Sequence, residues 1–314
     1  MFLFEIINEK DILKMISKIL VAFIPIVIFL CLCALVLFLL QAYKIRRKSR
    51  KSPLTNQLLR SPGDSLRHQI EKLSEDIDYY LIIILFSPLI LYATYLTQKC
   101  YGGLKEGDSV IIIFIIIAFI VVVYSFFKLW KLLKDRRSYR LGLDCETSVG
   151  QELNQLMLKG CRVFHDFPVE KFNKKFNIDH IVVSPKGVFA IETKGRAKPL
   201  AESTVVYDGE MLKFPSWTEK EPLEQARRNA EWLSEWLSNT VGENISVNPV
   251  LAIPGWYIER EITDDIFIFN GKNPQNLLLK NDSLSETLIK KISYQLEQKC
   301  RDVEPTAYQQ NKRK

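Results

Sequence analysis

Three long stretches of the sequence contain no Asp, Glu, Lys, Arg or His: residues 19–40, 79–98 and 109–127, with 22, 20 and 19 residues. Each reaches the ~20 apolar residues that a helix needs to cross a bilayer. The sequence therefore predicts three transmembrane helices and excludes a wholly soluble protein. Ionisable residues inside a membrane mark ion and proton pathways, so their absence argues against a transporter and favours an anchor. The first stretch is also longer than the core of a cleavable signal peptide (about 7–15 residues), so we expect it to stay in the mature chain.

The sequence also lacks paired cysteines. Six cysteines are present, but none forms a CxxC motif or a cluster with one of the three histidines, so a structural zinc site is not expected. Cys31 and Cys33 lie in the first apolar stretch, and Cys100 is isolated between the second and the third. Cys100 could link two copies of the chain, but we expect a free thiol.

Positive charge is distributed unevenly around the apolar stretches. Lys and Arg number 3 before the first stretch, 9 in residues 41–78, 2 between the second and third, and 6 in residues 128–140. Because basic loops remain on the cytoplasmic side, we expect a multi-pass protein of the cell (inner) membrane with its N-terminus outside and everything after residue 127 in the cytoplasm. The basic run 44–51 could instead bind anionic lipid or nucleic acid, although its position favours a topological role. Residues 1–140 are assigned to this anchor.

The first cytoplasmic loop contains a signal for the start of a helix. Ser61-Pro-Gly-Asp64 is typical of a turn followed by a helix cap. Apolar residues then follow at spacings of four, three and four: Leu66, Ile70, Leu73 and Ile77. This pattern predicts an amphipathic helix that leads into the second apolar stretch.

The remainder of the chain has the mixed periodicity of an α/β domain. A helix is predicted to open at Ser148 and to end at Gly160. Ser184-Pro-Lys-Gly187 predicts a tight turn, and therefore a hairpin of strands 177–183 and 188–194. The other predicted strands are 161–167, 204–207, 211–214, 250–253 and 265–269, and the other helices start at Pro222 and span 284–298. We divide this half into a domain at 141–262 and a C-terminal strand, helix and polar tail at 263–314.

The predicted hairpin carries Asp179, Glu192 and Lys194 in otherwise apolar strands. If Val183 pairs with Val188, Asp179 faces Glu192, and two carboxylates whose Cβ atoms lie ~4.5–5.5 Å apart repel unless a cation lies between them. Oxygen ligands suit Mg²⁺ or Mn²⁺, whose open positions can bind a phosphate oxygen and a nucleophilic water. Lys194 would orient that water or stabilise the developing negative charge.

Two alternatives remain open for this hairpin. A bulge at Gly187 would shift the register and place Glu192 opposite His180. The charged residues could also be a solvated strand end without metal, because Glu-x-Lys recurs by chance at Glu297-Gln-Lys299. His180 itself is expected to pack rather than to catalyse.

These residues resemble the nuclease-related domain (NERD), a member of the PD-(D/E)XK superfamily. The resemblance covers residues 148–256 and depends on four motifs: Gly150-Gln-Glu152, the hairpin from Phe176 to Lys194, Pro222-Leu-Glu-Gln225 and Asn248-Pro-Val-Leu-Ala-Ile-Pro254. It implies a restriction-endonuclease-like core, a mixed sheet flanked by helices, here preceded by three transmembrane helices.

The resemblance also implies the roles of five residues in a Mg²⁺- or Mn²⁺-dependent nuclease. Asp179 and Glu192 match the metal-binding carboxylates, and Lys194 matches the catalytic lysine. Glu152 matches an accessory acid, and Gln225 matches the glutamine of the family's helix. The proline that usually precedes the aspartate is replaced by Ile178.

The charge of the C-terminal half weakens the expectation of nucleic-acid binding. Residues 141–314 carry 23 Lys and Arg against 25 Asp and Glu, although the whole chain has a net charge of +7. Because affinity for DNA depends largely on phosphate neutralisation, we expect weak binding, a local basic patch or help from segment 128–140. Trp232 and Trp236 could stack on bases, but packing in the core is preferred.

Taken together, these features predict a membrane-anchored, cytoplasm-facing nuclease that hydrolyses phosphodiester bonds of DNA, in defence against or processing of incoming DNA. The alternative is a catalytically silent nucleic-acid-binding or scaffold module at the membrane. The expected partners are nucleic acid and the lipid bilayer, with a homo-oligomer or other membrane proteins as further candidates.

Overall fold

The fold is described from a computed structural model. It describes residues 53–54, 56–101, 110–171, 174–200, 203–262, 266–279 and 283–305, together with seven helical positions between residues 31 and 42. Most of the first predicted span, the basic run 44–51 and the C-terminal tail therefore lie outside the described residues. The chain forms two compact units, one that includes residues 77–130 and one that consists of residues 56–76 and 131–304.

Two long helices contain the second and third apolar stretches. Helix α1 spans Asp64–Tyr101, and helix α2 spans Val110–Asn154. Both are long and apolar enough to cross a membrane, and large hydrophobic side chains along their apolar parts are exposed. Two candidate membrane helices are thus present in the described part of the chain, which supports membrane association.

The start of α1 confirms the helix predicted in the first loop, which begins at Asp64 after the Ser61-Pro-Gly turn. The helix predicted to open at Ser148 begins much earlier, because α2 continues without a break from the third apolar stretch to Asn154. No proline interrupts residues 128–147. The polar sequence there therefore extends the helix instead of ending it.

A mixed five-stranded sheet forms the centre of the second unit. Its order is β10-β8-β4-β3-β2, with antiparallel pairing of β2, β3 and β4 and parallel pairing of β4, β8 and β10. The strands are β2 (Arg162–Lys171), β3 (Lys174–Ser184), β4 (Gly187–Thr193), β8 (Val247–Ala252) and β10 (Phe267–Phe269). Helices cover both faces, so the expected mixed α/β architecture is present.

Both faces of this sheet are apolar and pack against helices. In β3, Ile181 and Val183 pack in a cluster with Leu233 of helix α3 (Glu221–Val241), whereas Val182 packs in a cluster with Leu153 of α2. Successive strand residues point to opposite faces, so the central strands are apolar in sequence without alternation. Helix α4 (Glu286–Cys300) joins α3 on its face of the sheet.

Two smaller sheets complete the described fold. Four short strands form the order β7-β6-β5-β9: β5 (Thr204–Tyr207), β6 (Leu212–Lys213), β7 (Thr218–Glu219) and β9 (Tyr257–Arg260). Strand β1 (Leu58–Leu59) pairs antiparallel with β11 (Arg301–Val303). The pairing of β1 with β11, and the strand β9, were not predicted from the sequence.

Two histidines face each other inside the core. His165 Nδ1 lies 2.9 Å from His180 Nδ1, and His165 Nε2 lies 3.0 Å from Asn154 Oδ1. Both rings are buried, and the Nε2 atom of His180 has no hydrogen-bond partner among the described residues. Burial lowers the pKa of His165 to about 4 and holds that of His180 well below its usual value. Both rings are therefore neutral in the folded protein at pH 7.

This pair should make stability depend on pH. An unfolded chain protonates its histidines below pH ~6.5, whereas the folded chain resists protonation, so the stability supplied by the neutral rings is lost as the pH falls from about 6.5 to about 4. His180→Leu removes one of these groups. We expect the difference in thermal midpoint between wild type and His180→Leu, measured by tryptophan fluorescence in detergent micelles, to shrink between pH 7 and pH 4.5. A difference that does not change with pH would contradict this expectation.

Candidate active site

The predicted hairpin brings two carboxylates to one end of the central sheet. Val183 pairs with Val188, and the ladder between β3 and β4 ends at the pair of His180 and Ile191. The next residues in this register, Asp179 and Glu192, are opposite each other. The predicted register is confirmed, and the alternative with a bulge at Gly187 is wrong.

The turn itself explains this register. Pro185 and Lys186 form a two-residue loop. The hydroxyl of Ser184 accepts a hydrogen bond from Lys186 N at 3.1 Å and donates one to Gly187 O at 3.1 Å. Gly187 has a φ of 124°, a conformation that favours glycine. These local contacts fix the pairing and therefore the positions of the two carboxylates, 5 residues before Ser184 and 5 residues after Gly187.

Hydrogen bonds hold both carboxylates in place. Asp179 Oδ2 accepts the backbone N–H of Thr193 at 2.6 Å. Glu192 is 3% exposed, and its two oxygens accept bonds from Lys194 Nζ at 2.6 Å and from Asn229 Nδ2 at 2.8 Å. The two strands and α3 fix these partners and therefore hold both carboxylates in defined positions.

Lys194 is connected to helix α3 as well as to Glu192. Its Nζ donates a second hydrogen bond to Gln225 Oε1 at 2.9 Å. Gln225 lies one helical turn before Asn229, so one face of α3 supplies a partner to each member of the ion pair. An ammonium group has three donors, which leaves one hydrogen of Lys194 for a ligand in the adjoining cavity.

The third carboxylate at the site is Glu146, which the sequence reasoning did not single out. Glu146 is 8% exposed and lines the same cavity as Asp179 and Glu192. The spacing of Glu146 from Val149 and Leu153 could have indicated its location, because residues three and four positions apart lie on the same face of a helix. That face of α2 is buried. A glutamate on an otherwise apolar helix face indicates a specific buried environment.

Glu152, the predicted accessory acid, lies elsewhere on α2. Its Oε2 accepts a hydrogen bond from Gln155 Nε2 at 3.1 Å, and it is absent from the residues that line the cavity. Six residues separate it from Glu146, which places the two acids on different sides of the helix. The structure thus brings four of the five predicted site residues together and leaves Glu152 apart. The roles of all five stay predictions.

The cavity has a volume of about 390 Å³. It is open to solvent and is bounded by residues of α1, α2, α3 and the β3–β4 hairpin. The lining residues are Ser65, Leu66, Gln69, Glu146, Phe176, Asn177, Asp179, Glu192, Thr193, Lys194 and Gln225.

Burial is the main effect on the carboxylates of this cavity, and their mutual repulsion adds to it. Burial, with Glu192 and Glu146 nearby, holds the pKa of Asp179 well above its usual value. Burial, followed by the charges of Asp166 and Glu192, raises the pKa of Glu146 to about 8. Burial also raises the pKa of Glu192, although Lys194 opposes that rise. These carboxyl groups would all be stabilised in their charged form by a cation.

The donor set fits a divalent cation by charge and by ligand type. Asp179, Glu192 and Glu146 supply oxygen atoms, the ligands that Mg²⁺ and Mn²⁺ prefer. Three carboxylates and the ammonium of Lys194 have a formal net charge of −2 when all are ionised. Among the described residues, no group of three or more His, Cys, Asp or Glu side chains already has the arrangement of a metal site, so the carboxylates would have to adjust around an ion.

The chain is similar to one known protein family over the part that carries this cavity. Residues 141–254 match the family model of the nuclease-related domain, NERD. This part of the chain is similar to the nuclease-related domain. The match confirms the resemblance predicted from residues 148–256, and it includes Glu146 as well as the hairpin. No curated protein and no solved structure shows a significant match to the chain.

The burial of Asp179 beside two other carboxylates should lower the stability of the folded protein. Replacing Asp179 by Asn keeps an acceptor for the Thr193 N–H and removes one of the like charges. We expect Asp179→Asn to raise the thermal midpoint at pH 8 without divalent cations, by roughly 2–4 °C for a gain of about 1 kcal/mol.

Asp208→Asn is a matched control for this substitution. Lys213 and two backbone N–H groups stabilise the Asp208 carboxylate and lower its pKa. The same change should therefore lower the midpoint at Asp208. A decrease at both positions would show that repulsion at Asp179 is not the dominant effect.

Proposed function

We propose that the chain is a metal-dependent nuclease, held at the cytoplasmic side of the membrane, that hydrolyses phosphodiester bonds of DNA. The observation that carries the proposal is the cluster of Asp179, Glu192 and Lys194 in one cavity of a NERD domain. The family name indicates nuclease-like chemistry. The metal, the substrate and the anchoring are the parts that this proposal adds.

The metal would be held by the carboxylates that face the cavity. Asp179 and Glu192 are the proposed ligands, and Glu146 is a third carboxylate that lines the cavity. A bound Mg²⁺ or Mn²⁺ would polarise a phosphate oxygen and lower the pKa of a water molecule. Asn229 keeps the Glu192 carboxylate oriented through the bond to Oε2, so the ligand geometry does not depend on Lys194 alone.

Lys194 is proposed to position the reacting water and to stabilise the transition state. Its Nζ is fixed by Glu192 and Gln225, and its remaining hydrogen is available to a water oxygen or to a phosphate oxygen on which negative charge develops. In the reaction, the water oxygen bonds to phosphorus as the bond to one ester oxygen breaks. One water proton goes to the leaving oxygen, and the other stays on the phosphate or passes to solvent.

The continuity of α2 supports the proposed anchoring. The NERD match begins at residue 141, inside a helix whose N-terminal part contains the third apolar stretch. No turn or linker separates the two parts of the helix. The distribution of Lys and Arg favours a cytoplasmic location for the domain, where it would meet DNA that enters the cell.

The first test is metal-dependent cleavage by the full chain in detergent micelles. We expect linear, circular or single-stranded DNA to be cleaved in Mg²⁺ or Mn²⁺, and no cleavage in EDTA. Lys194→Ala should lower kcat by roughly 10²–10⁴-fold, the usual contribution of a positioned catalytic group. Lys198→Ala is the control, because Lys198 is an exposed lysine that bonds Gly255 O. Cleavage of RNA alone would contradict the proposed substrate. Nucleic-acid binding without any cleavage would favour the scaffold alternative.

A second test compares the two glutamates of α2. Glu146→Gln removes an acid that lines the cavity, whereas Glu152→Gln changes a residue outside it. We expect Glu146→Gln to lower kcat by about 10²-fold or more, and to lower it by more than Glu152→Gln does. The opposite order would restore Glu152 as the accessory acid.

A further inference from the structure

A segment far from the NERD match in sequence forms one wall of the candidate active site. Ser65, Leu66 and Gln69 line the same cavity as Lys194 and Gln225. They belong to the loop between the first two apolar stretches, more than 70 residues before the NERD match begins. We call residues 56–69 the strap. The strap is part of the same compact unit as the NERD domain.

Backbone pairing and a salt bridge hold the start of the strap. Leu58 pairs with Val303 in the β1–β11 ladder, and the N–H of Arg60 donates to Cys300 O at 3.0 Å. The Arg60 guanidinium binds Asp302 through two parallel hydrogen bonds of 2.7 Å. Bidentate pairs of this kind fix orientation as well as distance.

Asp166 holds the strap at its other end. This aspartate is 1% exposed and accepts hydrogen bonds from Arg60 Nη1 at 2.7 Å, Ser65 N at 3.1 Å and Ser65 Oγ at 2.6 Å. It also accepts one from Asn177 Nδ2 at 3.1 Å. The bond to Ser65 N satisfies an otherwise free N–H at the start of α1, so a β-strand residue caps the helix of the strap.

The location of Asp166 links the strap to Asp179, one of the two proposed metal ligands. His165 pairs with His180 and Phe167 pairs with Ile178, so Asp166 stands opposite Asp179 on the neighbouring strand. Its φ of 50° is unusual for a residue within a strand. Such strain persists where surrounding contacts compensate for it, and here the four bonds to Asp166 do so.

The turn of the strap is closely packed against α2. A Cβ atom on Gly63 would lie 2.5 Å from Leu143 Cδ1, and a Cβ atom on Gly150 would lie 2.5 Å from Pro62 Cγ. Gly63 also has a φ of 67°. Both glycines are therefore required for this approach, and one of them, Gly150, belongs to the motif that the NERD resemblance uses.

Gln69 is the strap residue with a free functional group at the cavity. The Ser65 hydroxyl is used by Asp166, and Leu66 is apolar. The Gln69 side chain is exposed and makes no hydrogen bond to the described residues. It lies one helical turn after Ser65, so the capped start of α1 fixes its position.

We propose that Gln69 is a substrate-binding residue, whose amide N–H groups bind a phosphate oxygen of the nucleic-acid strand next to the phosphate that is cleaved. Side-chain amides commonly make such contacts. The inference rests on the proposed nuclease function, since it assigns the strap to the substrate cleft of that same site. The active site is then built from two distant parts of the chain, and a NERD domain without the strap has an incomplete cleft.

Steady-state cleavage of single-stranded DNA by the full chain in detergent micelles tests the assignment. We expect Gln69→Ala to raise KM by roughly 5- to 20-fold, as for the loss of one or two hydrogen bonds, and to change kcat by less than about 2-fold because the interaction is made equally in the ground state and the transition state. Gln69→Glu replaces donors by a negative charge and should raise KM further. Gln298→Ala, the same change at an exposed position of α4, should leave KM unchanged.

Arg60→Ala provides a second variant that acts through the strap. It removes the bonds to Asp302 and Asp166, so it should raise KM in the same direction as Gln69→Ala. Thermal midpoints measured on each variant separate this effect from unfolding. The assignment is overturned if Gln69→Ala has the KM of Gln298→Ala, or if its KM rises only together with a lower thermal midpoint.

A binding assay separates this inference from the proposed function. Fluorescence anisotropy of a labelled single-stranded oligonucleotide reports binding even when no cleavage occurs. If wild type binds but does not cleave, and Gln69→Ala binds roughly 5- to 20-fold more weakly, the strap contact stands and the nuclease proposal fails. If wild type cleaves and Gln69→Ala binds as well as wild type does, only the strap contact fails. Absence of both binding and cleavage in wild type overturns both.

Discussion

The burial of like charges in one cavity is the constraint on which the site depends. A hairpin and a helix hold Asp179, Glu192 and Glu146 near one another. Apolar residues on both faces of the sheet, and not the carboxylates, stabilise the packing of these elements. Repulsion between the carboxylates raises the free energy of the folded state, and a single ammonium group offsets only part of it. The rest of the domain has to be stable enough to hold this arrangement, which is the usual cost of a preorganised site.

Hydrogen bonds from neighbouring elements stabilise the buried carboxylates. Three of the buried carboxylates receive hydrogen bonds from different elements: Glu192 from α3, Asp179 from the backbone of β4, and Asp166 from the strap. A buried acid without such partners would be protonated or would not be buried. Helix α3, strand β4 and the strap are therefore joined to the sheet by the same interactions that position these three acids. This explains why the strap behaves as part of the domain although it precedes it by many residues.

The hairpin and its acids could be predicted from the sequence because their geometry is local. Ser184, Pro185 and Gly187 fix a two-residue turn, and the period of two along each strand then places Asp179 opposite Glu192. The pairing of Glu146 with this site could not be predicted in the same way. It depends on where α2 packs on the sheet. It also depends on the continuation of α2 past residue 140, where the sequence predicted the end of the membrane anchor. Glu152 stands in a recognisable motif, but the rotation of α2 turns it away from the cavity.

The sequence by itself determined the long apolar stretches, the α/β class of the C-terminal half, the hairpin register and the resemblance to the nuclease-related domain. Each of these depends on periodicity, length or short motifs, which are properties of neighbouring residues. Only the tertiary structure decided that Arg60 and Ser65 bind Asp166, 106 and 101 residues away, and that Gln69 faces the cavity. These contacts join segments with no common pattern, and their formation depends on packing that is defined only when the whole domain has folded.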